Sequence, residues 1–155
     1  MPGAAWNGAE SVFEYAKNSS CRDRFEFTGF VDFARLPELY AQSTMYIFPS
    51  HFEGFGLSLL EAMHAGIPCA CSCNSSLGEL GEGAAELFDP ASPESIAASM
   101  EKILSNERYQ QELIEKGREK AAQFSWQNTA SQLEKLYRDR SASVFGVPFF
   151  IGTME

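Results

Sequence analysis

The sequence has no run of about 18 or more apolar residues, so nothing in it reads as a membrane-spanning helix. Its first residues, MPGAAWNGAE, have neither the basic start nor the apolar core of a signal peptide. Positive charge is scarce: 12 Lys and Arg stand against 21 Asp and Glu, a formal charge of -9. That balance excludes a protein whose main task is gripping nucleic acid, because neutralising phosphates needs a surplus of cations. It does not exclude a small anionic ligand, which backbone amides hold without charged side chains. Histidine is limited to His51 and His64, and cysteine to Cys21, Cys69, Cys71 and Cys73. Three cysteines alternate in IPCACSC, which is the spacing of one strand face, whereas structural zinc sites pair their ligands two to four residues apart. Reduced thiols, no metal and a cytoplasmic location are therefore expected, with peripheral contact with a membrane as the alternative. No internal repeat and no low-complexity tract occurs.

What is present is the composition of one globular domain: 155 residues, 45% hydrophobic and 21% charged. Helix and strand patterns alternate along it. Asn7 is expected to cap a helix reaching Asn18, with Glu10 as its capping-box partner. RFEFTGFV (24–31) reads as a strand, and Leu36, Leu39 and Tyr40 mark a short amphipathic helix. TMYIFPS is a strand ended by Pro49, LSLLEAMHA a helix ended by Gly66, IPCACSC a strand of small apolar residues and AELFDP the last strand. The link SSLGELGEGA is turn-rich, with one helical turn capped by Ser76. Ser92-Pro93 starts a helix with Ile96, Met100, Ile103 and Leu104 as its buried stripe. A helix over 107–122 has a solvated, acidic face with i,i+4 pairs. Ser125 caps another, with Trp126, Ala130, Leu133, Leu136 and Tyr137 on one face. Such alternation predicts an α/β fold, a Rossmann-like parallel sheet flanked by helices. The expected division is a Rossmann-like α/β domain over 1–140 and a hydrophobic tail over 141–155, in which Gly146 and Pro148 break any helix.

In parallel sheets ligands bind beyond the carboxyl ends of the strands, so the loop after Ser50 is the informative one. Glu53-Gly54-Phe55-Gly56 lies between a strand and a helix N-terminus. Its glycines admit close approach by a ligand and the helix end adds positive partial charge, which together suit a diphosphate. Leu59 stands where a dinucleotide fingerprint needs its third glycine. The plain alternative is a tight strand-to-helix turn. Glu61 sits in a mostly apolar helix and is expected to be buried, needing a hydrogen-bond partner. Ribose hydroxyls would serve, as would a salt bridge or the amides of a neighbouring loop. A hydrolytic pair of Glu53 and Glu61 is a third reading. His51 either faces the cleft or points to solvent, and His64 is assigned no chemistry.

EGFGLSLLEAMHAGIPC resembles the Glu-x7-Glu segment of family-four glycosyltransferases, the retaining nucleotide-sugar enzymes of GT-B fold. RFEFTGFV, LPELYAQSTMYIFPS, SSLGELGEGAAELFDPASPESIA and FSWQNTA resemble further segments of the family in the same order, over about residues 20–138. The resemblance implies part of the C-terminal, donor-binding half of a GT-B fold, with a hexosyl group leaving a UDP- or GDP-sugar with retention and without a cofactor. Glu53 matches the glutamate beside the donor sugar and reaction centre. Gly54, Phe55, Gly56 and Leu57 match the loop whose amides meet sugar hydroxyls and diphosphate. Glu61 matches the glutamate on the ribose hydroxyls, Phe30 and Val31 a segment near the nucleobase, and Glu79 a further motif glutamate. Glu79 follows Gly78 rather than the family's proline; a capping box with Ser76 is the other account of it.

The resemblance covers only part of such an enzyme. The acceptor domain, the first two donor-domain strands and the basic clamp near the diphosphate are unmatched, and Arg22, Arg24 and Arg35 stand in the wrong context to replace the clamp. In the sheet order 3-2-1-4-5-6, strand 24–31 is third and TMYIFPS fourth. Either the two close on each other or both keep edges that invite another chain. A saccharide or lipid acceptor is therefore expected to need the missing domain. The competing expectation is a non-catalytic fragment that docks onto a partner chain or a second copy.

Overall fold

The structure of the chain, a computed structural model, describes residues 9–144. The chain divides into two compact units, one ending at Ser43 and one starting at Thr44.

In the first unit, helices α1 (Glu10–Asn18) and α2 (Leu36–Gln42) are linked through short 3-10 turns at Arg22–Arg24 and Phe33–Arg35. α1 starts after Ala9, and its expected cap, Asn7, lies outside the described residues. The strand expected at 24–31 does not form: residues 25–28 have no regular structure and Gly29 makes only an isolated bridge. Among the described residues the unit contains no strand to pair with, and an unpaired strand is not stable alone. Its alternating aromatics cluster instead. Phe27 meets Phe13 with ring centroids 4.6 Å apart and lies 6.5 Å from Phe25.

The second unit holds the α/β fold. Strands β1 (Tyr46–Phe48), β2 (Cys69–Ser72) and β3 (Glu86–Phe88) form a parallel sheet in that order, with Tyr46 beside Cys69 and Ala70 beside Glu86. All four residues of β2 are buried, as suits a central strand covered on both faces. Burial pushes the Cys69 and Cys71 thiols up to about 12, so both remain protonated packing groups. Cys21 and Cys73 are exposed, and no disulfide links the four.

The covering helices are α3 (Leu57–Ala65), α4 (Ser75–Gly81), α5 (Pro93–Leu104), α6 (Glu107–Ala122) and α7 (Trp126–Val144). Ala70, Phe88, Ile103 and Leu113 form a core cluster, with Met45, Ile47, Ile96 and Tyr109 packed against it. Ser92 and Ser125 cap α5 and α7 as their sequence context predicts, accepting from the N–H groups of Ser95 and Asn128 at 3.1 Å each. The stripe of α5 forms in part: Ile103 is buried, Ile96 packs against the core and Met100 is half-buried, Ser99 joins them, and Leu104 is 50% exposed. The solvated face of α6 forms, with Lys116 on Glu112 at 2.6 Å. On α7, Trp126, Leu133, Leu136 and Tyr137 are all exposed. α7 continues to Val144, and the rest of the expected tail, with Phe145, Val147, Phe149, Phe150 and Ile151, lies outside the described residues.

One polar knot ties the far end of β3 to α5 and α6. The Glu86 carboxylate accepts from Lys102 Nζ at 2.8 Å and from the Tyr109 hydroxyl, and Lys102 lies 4.7 Å over the Tyr109 ring. The hydrogen bond with Glu86 raises the Lys102 pKa, and burial followed by that same carboxylate raises Tyr109. A raised folded-state pKa stabilises the native state below the unfolded value and loses that contribution as pH rises through the folded value. With Lys102 half exposed and its charge screened by solvent, Glu86→Gln is expected to cost about 1 kcal/mol at neutral pH. In urea titrations that difference should persist to about pH 10 and shrink above it, where Lys and Tyr lose their protons. A difference that instead grows with alkalinity would contradict this account.

Candidate functional site

Parallel pairing brings the ends of β1 and β2 to one edge of the sheet, and the loops that follow them meet there. Ser72, the last residue of β2, is fully buried and donates its hydroxyl to Phe48 O at 3.3 Å, closing the two strand ends together. Cys73 N donates to Phe88 O at 2.9 Å and continues the seam to β3. Beyond it, the Glu53 peptide is held on both sides: its N–H donates to Ser75 Oγ at 3.1 Å, and its carbonyl accepts from Ser76 Oγ at 2.9 Å. Ser75 sits at φ 51°, the left-handed region that costs a non-glycine residue about 1–2 kcal/mol.

Past Glu53 the chain turns into α3. Gly56 precedes the helix at φ 99° and ψ 45° and supplies no side-chain cap. A Cβ there would sit 2.7 Å from Leu77 Cδ2, so both conformation and space demand glycine. Gly54 faces open space, with no atom within 4 Å of a Cβ built on it. Among the described residues no backbone carbonyl accepts from the N–H groups of Gly54, Phe55, Gly56 or Leu57. The positive end of a nine-residue helix thus follows directly on a loop of open amides. Phe55 anchors the loop against Phe124, with ring centroids 5.9 Å apart and near-perpendicular planes.

Glu61 is not buried. Leu59, Leu60, Ala62 and Met63 fill the inner face of α3, and Leu57, Glu61 and His64 fall on the outer one. Leu57 and Glu61 are one turn apart, so the same stripe carries both. The half-buried Tyr46 links this stripe to the loop. Burial pushes its phenol above the ordinary value, the charges of Glu61 and Glu53 push the same way, and a hydrogen bond with Ser58 opposes them. Both carboxylates therefore act on a single phenol, which stays protonated at neutral pH.

The remaining expected residues lie elsewhere. Glu79 is exposed on α4, and its carbonyl accepts from Lys120 Nζ at 3.2 Å. It forms no capping box: the N-cap of α4 is Asn74, and the Ser76 hydroxyl is spent on Glu53. Gly78 has a steric cause. Any Cβ at this position would run into the Cys73 carbonyl, and its N–H donates to Asn74 O at 3.1 Å, a bond proline cannot make. Phe30 and Val31 belong to the first unit, where they line a cavity of about 440 Å³ with Glu26, Thr28, Asp32, Arg35 and Leu39. His51 and His64 are exposed. Tyr46, Ser58 and Ser75 carry no motif in the sequence, and Ser76 carries only the pattern of a cap. The signal for the two serines was their position just beyond β2, facing the loop after β1.

Comparison with known proteins gives this arrangement a context. The family described as Glycosyl transferases group 1 matches residues 3–120. O-antigen chain mannosyltransferase B of Escherichia coli is 36% identical over 112 residues, which are 72% of this chain and 29% of that protein. Mannosylfructose-phosphate synthase of Agrobacterium fabrum is 30% identical over 131 residues, 83% of this chain and 29% of that protein. Among solved structures, sucrose-phosphate synthase of Thermosynechococcus elongatus superposes with a TM-score of 0.80 at 29% identity, covering 91% of this chain and 37% of that one. HepE of Anabaena, solved in complex with UDP, has the same fold, with a TM-score of 0.79 at 20% identity.

The two loop glycines are expected to respond differently to alanine. Gly56→Ala should lose about 1–3 kcal/mol in urea denaturation, from the left-handed backbone and the contact with Leu77. Gly54→Ala should change stability by less than about 0.5 kcal/mol. Equal losses at the two positions would contradict the loop geometry.

Proposed function

Since this chain belongs to the glycosyl transferases group 1 family, we propose that it is the donor-binding part of a retaining enzyme that transfers a hexosyl group from a nucleotide diphosphate sugar. Its fold is part of the C-terminal half of a GT-B glycosyltransferase. The observation that carries the reading is the uncapped start of α3 beneath the open amides of Gly54 to Leu57. Those amides and the helix dipole would hold the diphosphate and meet the negative charge that grows on the leaving oxygen. Glu53 would stand beside the donor sugar, at the reaction centre. Glu61, on the outward stripe with Leu57, would accept hydrogen bonds from the ribose hydroxyls. Its exposure supports this role by a different route from the one the sequence offered, since an outward carboxylate is reachable by a ligand. Phe30 and Val31 remain the proposed base segment, and Glu79 the weakest of the proposed contacts.

The chain spans about 29% of the length of the two relatives described and 37% of the sucrose-phosphate synthase chain. A saccharide or lipid acceptor would be met by the portion of those proteins outside this span. The exposed Trp126, Leu133, Leu136 and Tyr137 of α7 support a second reading, in which the chain docks onto another chain or a second copy and has no catalysis of its own.

Calorimetric titration with UDP-glucose and GDP-mannose tests the donor role. The wild-type chain is expected to bind one of them weakly, and Glu61→Ala to weaken that binding roughly tenfold or more, the loss typical of a charged hydrogen-bond acceptor. Binding indifferent to Glu61→Ala would remove the ribose role. Gly54→Ala should keep the stability of the fold while weakening the same donor.

A further inference from the structure

Glu53 is the residue placed at the reaction centre, yet its side chain is not what fixes it. We infer that Ser75 and Ser76 are positioning residues that set the Glu53 peptide for the donor sugar, an inference that rests on the donor reading above. Three observations carry it. The two hydroxyls hold opposite sides of one residue's backbone, with Ser75 Oγ accepting from Glu53 N at 3.1 Å and Ser76 Oγ donating to Glu53 O at 2.9 Å. The contacts span 22 and 23 positions of sequence and join the loops that follow β1 and β2. Ser75 makes its contact from φ 51°, a conformation glycine would adopt without strain. A strained residue that persists where glycine would be easier is held there by what its side chain does, and such outliers gather where ligands are handled.

The Ser75 hydroxyl also frees the loop downstream. By taking the Glu53 N–H, it makes Glu53 the last residue of the loop whose amide faces protein, and the open amides begin at Gly54. The boundary between the part of the loop bound to protein and the part available to a ligand thus falls at the proposed reaction centre. Releasing the clamp would let the Glu53 peptide rotate, and the carboxylate with it, while the amides proposed for the diphosphate stay in place.

The test is Ser75→Gly, which relieves the backbone and deletes the hydroxyl. Melting temperature is expected to stay within a few degrees of wild type. Amide hydrogen exchange at Glu53 should quicken roughly tenfold, as one local hydrogen bond is lost. In calorimetry, affinity for UDP-glucose or GDP-mannose should fall roughly fivefold relative to UDP or GDP, because the clamp serves the sugar end and not the diphosphate. Ser75→Asn, which tolerates the left-handed conformation and offers an acceptor, should restore both, and Ser76→Thr should behave like wild type. Unchanged exchange at Glu53 in Ser75→Gly would overturn the clamp. Faster exchange with an unchanged ratio of sugar-nucleotide to bare-nucleotide affinity would overturn the positioning role. If the wild-type chain binds none of these nucleotides, the donor reading falls and the positioning role with it, while the exchange result still reports on the clamp.

Discussion

Parallel strands deliver their carboxyl ends to one edge of a sheet, so the loops leaving β1 and β2 must share one small space, and the hydrogen bonds between Glu53 and the Ser75–Ser76 pair determine how they share it. Much of the local architecture serves that meeting. Ser72 ties β2 to the end of β1, and Cys73 ties it to β3. Gly56 then leads into α3 in a left-handed conformation, at a point where any Cβ would strike Leu77. Phe55 rests on Phe124 and anchors the loop on the side of α6 and α7. The outcome is a short stretch of backbone that is rigidly placed but offers unoccupied donors.

The electrostatics are consistent with a site built from dipoles. The whole chain carries a formal charge of -9. The carboxylates of Glu53 and Glu61 both act on the Tyr46 phenol. The proposed diphosphate would be met by amides and a helix end, whose partial charges are fixed in direction and need no rearrangement when charge develops.

Much of this was legible in the sequence. The three strands, the helix over LSLLEAMHA and the caps at Ser92 and Ser125 follow from patterns of apolar residues and from turn chemistry, which are local. The failures share a cause, which is that burial is decided by neighbours. RFEFTGFV has the alternation of a strand, but among the described residues its unit holds no strand, and the phenylalanines pack on one another and on Phe13. Glu61 was judged buried from the apolar character of its helix as a whole. The 100° step per residue instead carries it outward with Leu57 and His64, while Leu59, Leu60, Ala62 and Met63 turn inward. Ser76 has the spacing of a cap toward Glu79, yet its hydroxyl is taken by a carbonyl 23 positions away. Leu104 completes a stripe on paper and stays half exposed, while Ser99 is buried beside Ile103.

The proposed seat of the diphosphate is the run of open amides from Gly54 to Leu57. The most direct measurement is a ¹⁵N–¹H NMR titration of the isotopically labelled chain with UDP and GDP, each compared with its nucleoside. The account predicts that the diphosphates shift the amides of Gly54, Phe55, Gly56 and Leu57 and that uridine and guanosine leave them unmoved. Diphosphate-induced shifts confined to other parts of the chain, with these four amides unchanged at saturation, would contradict it.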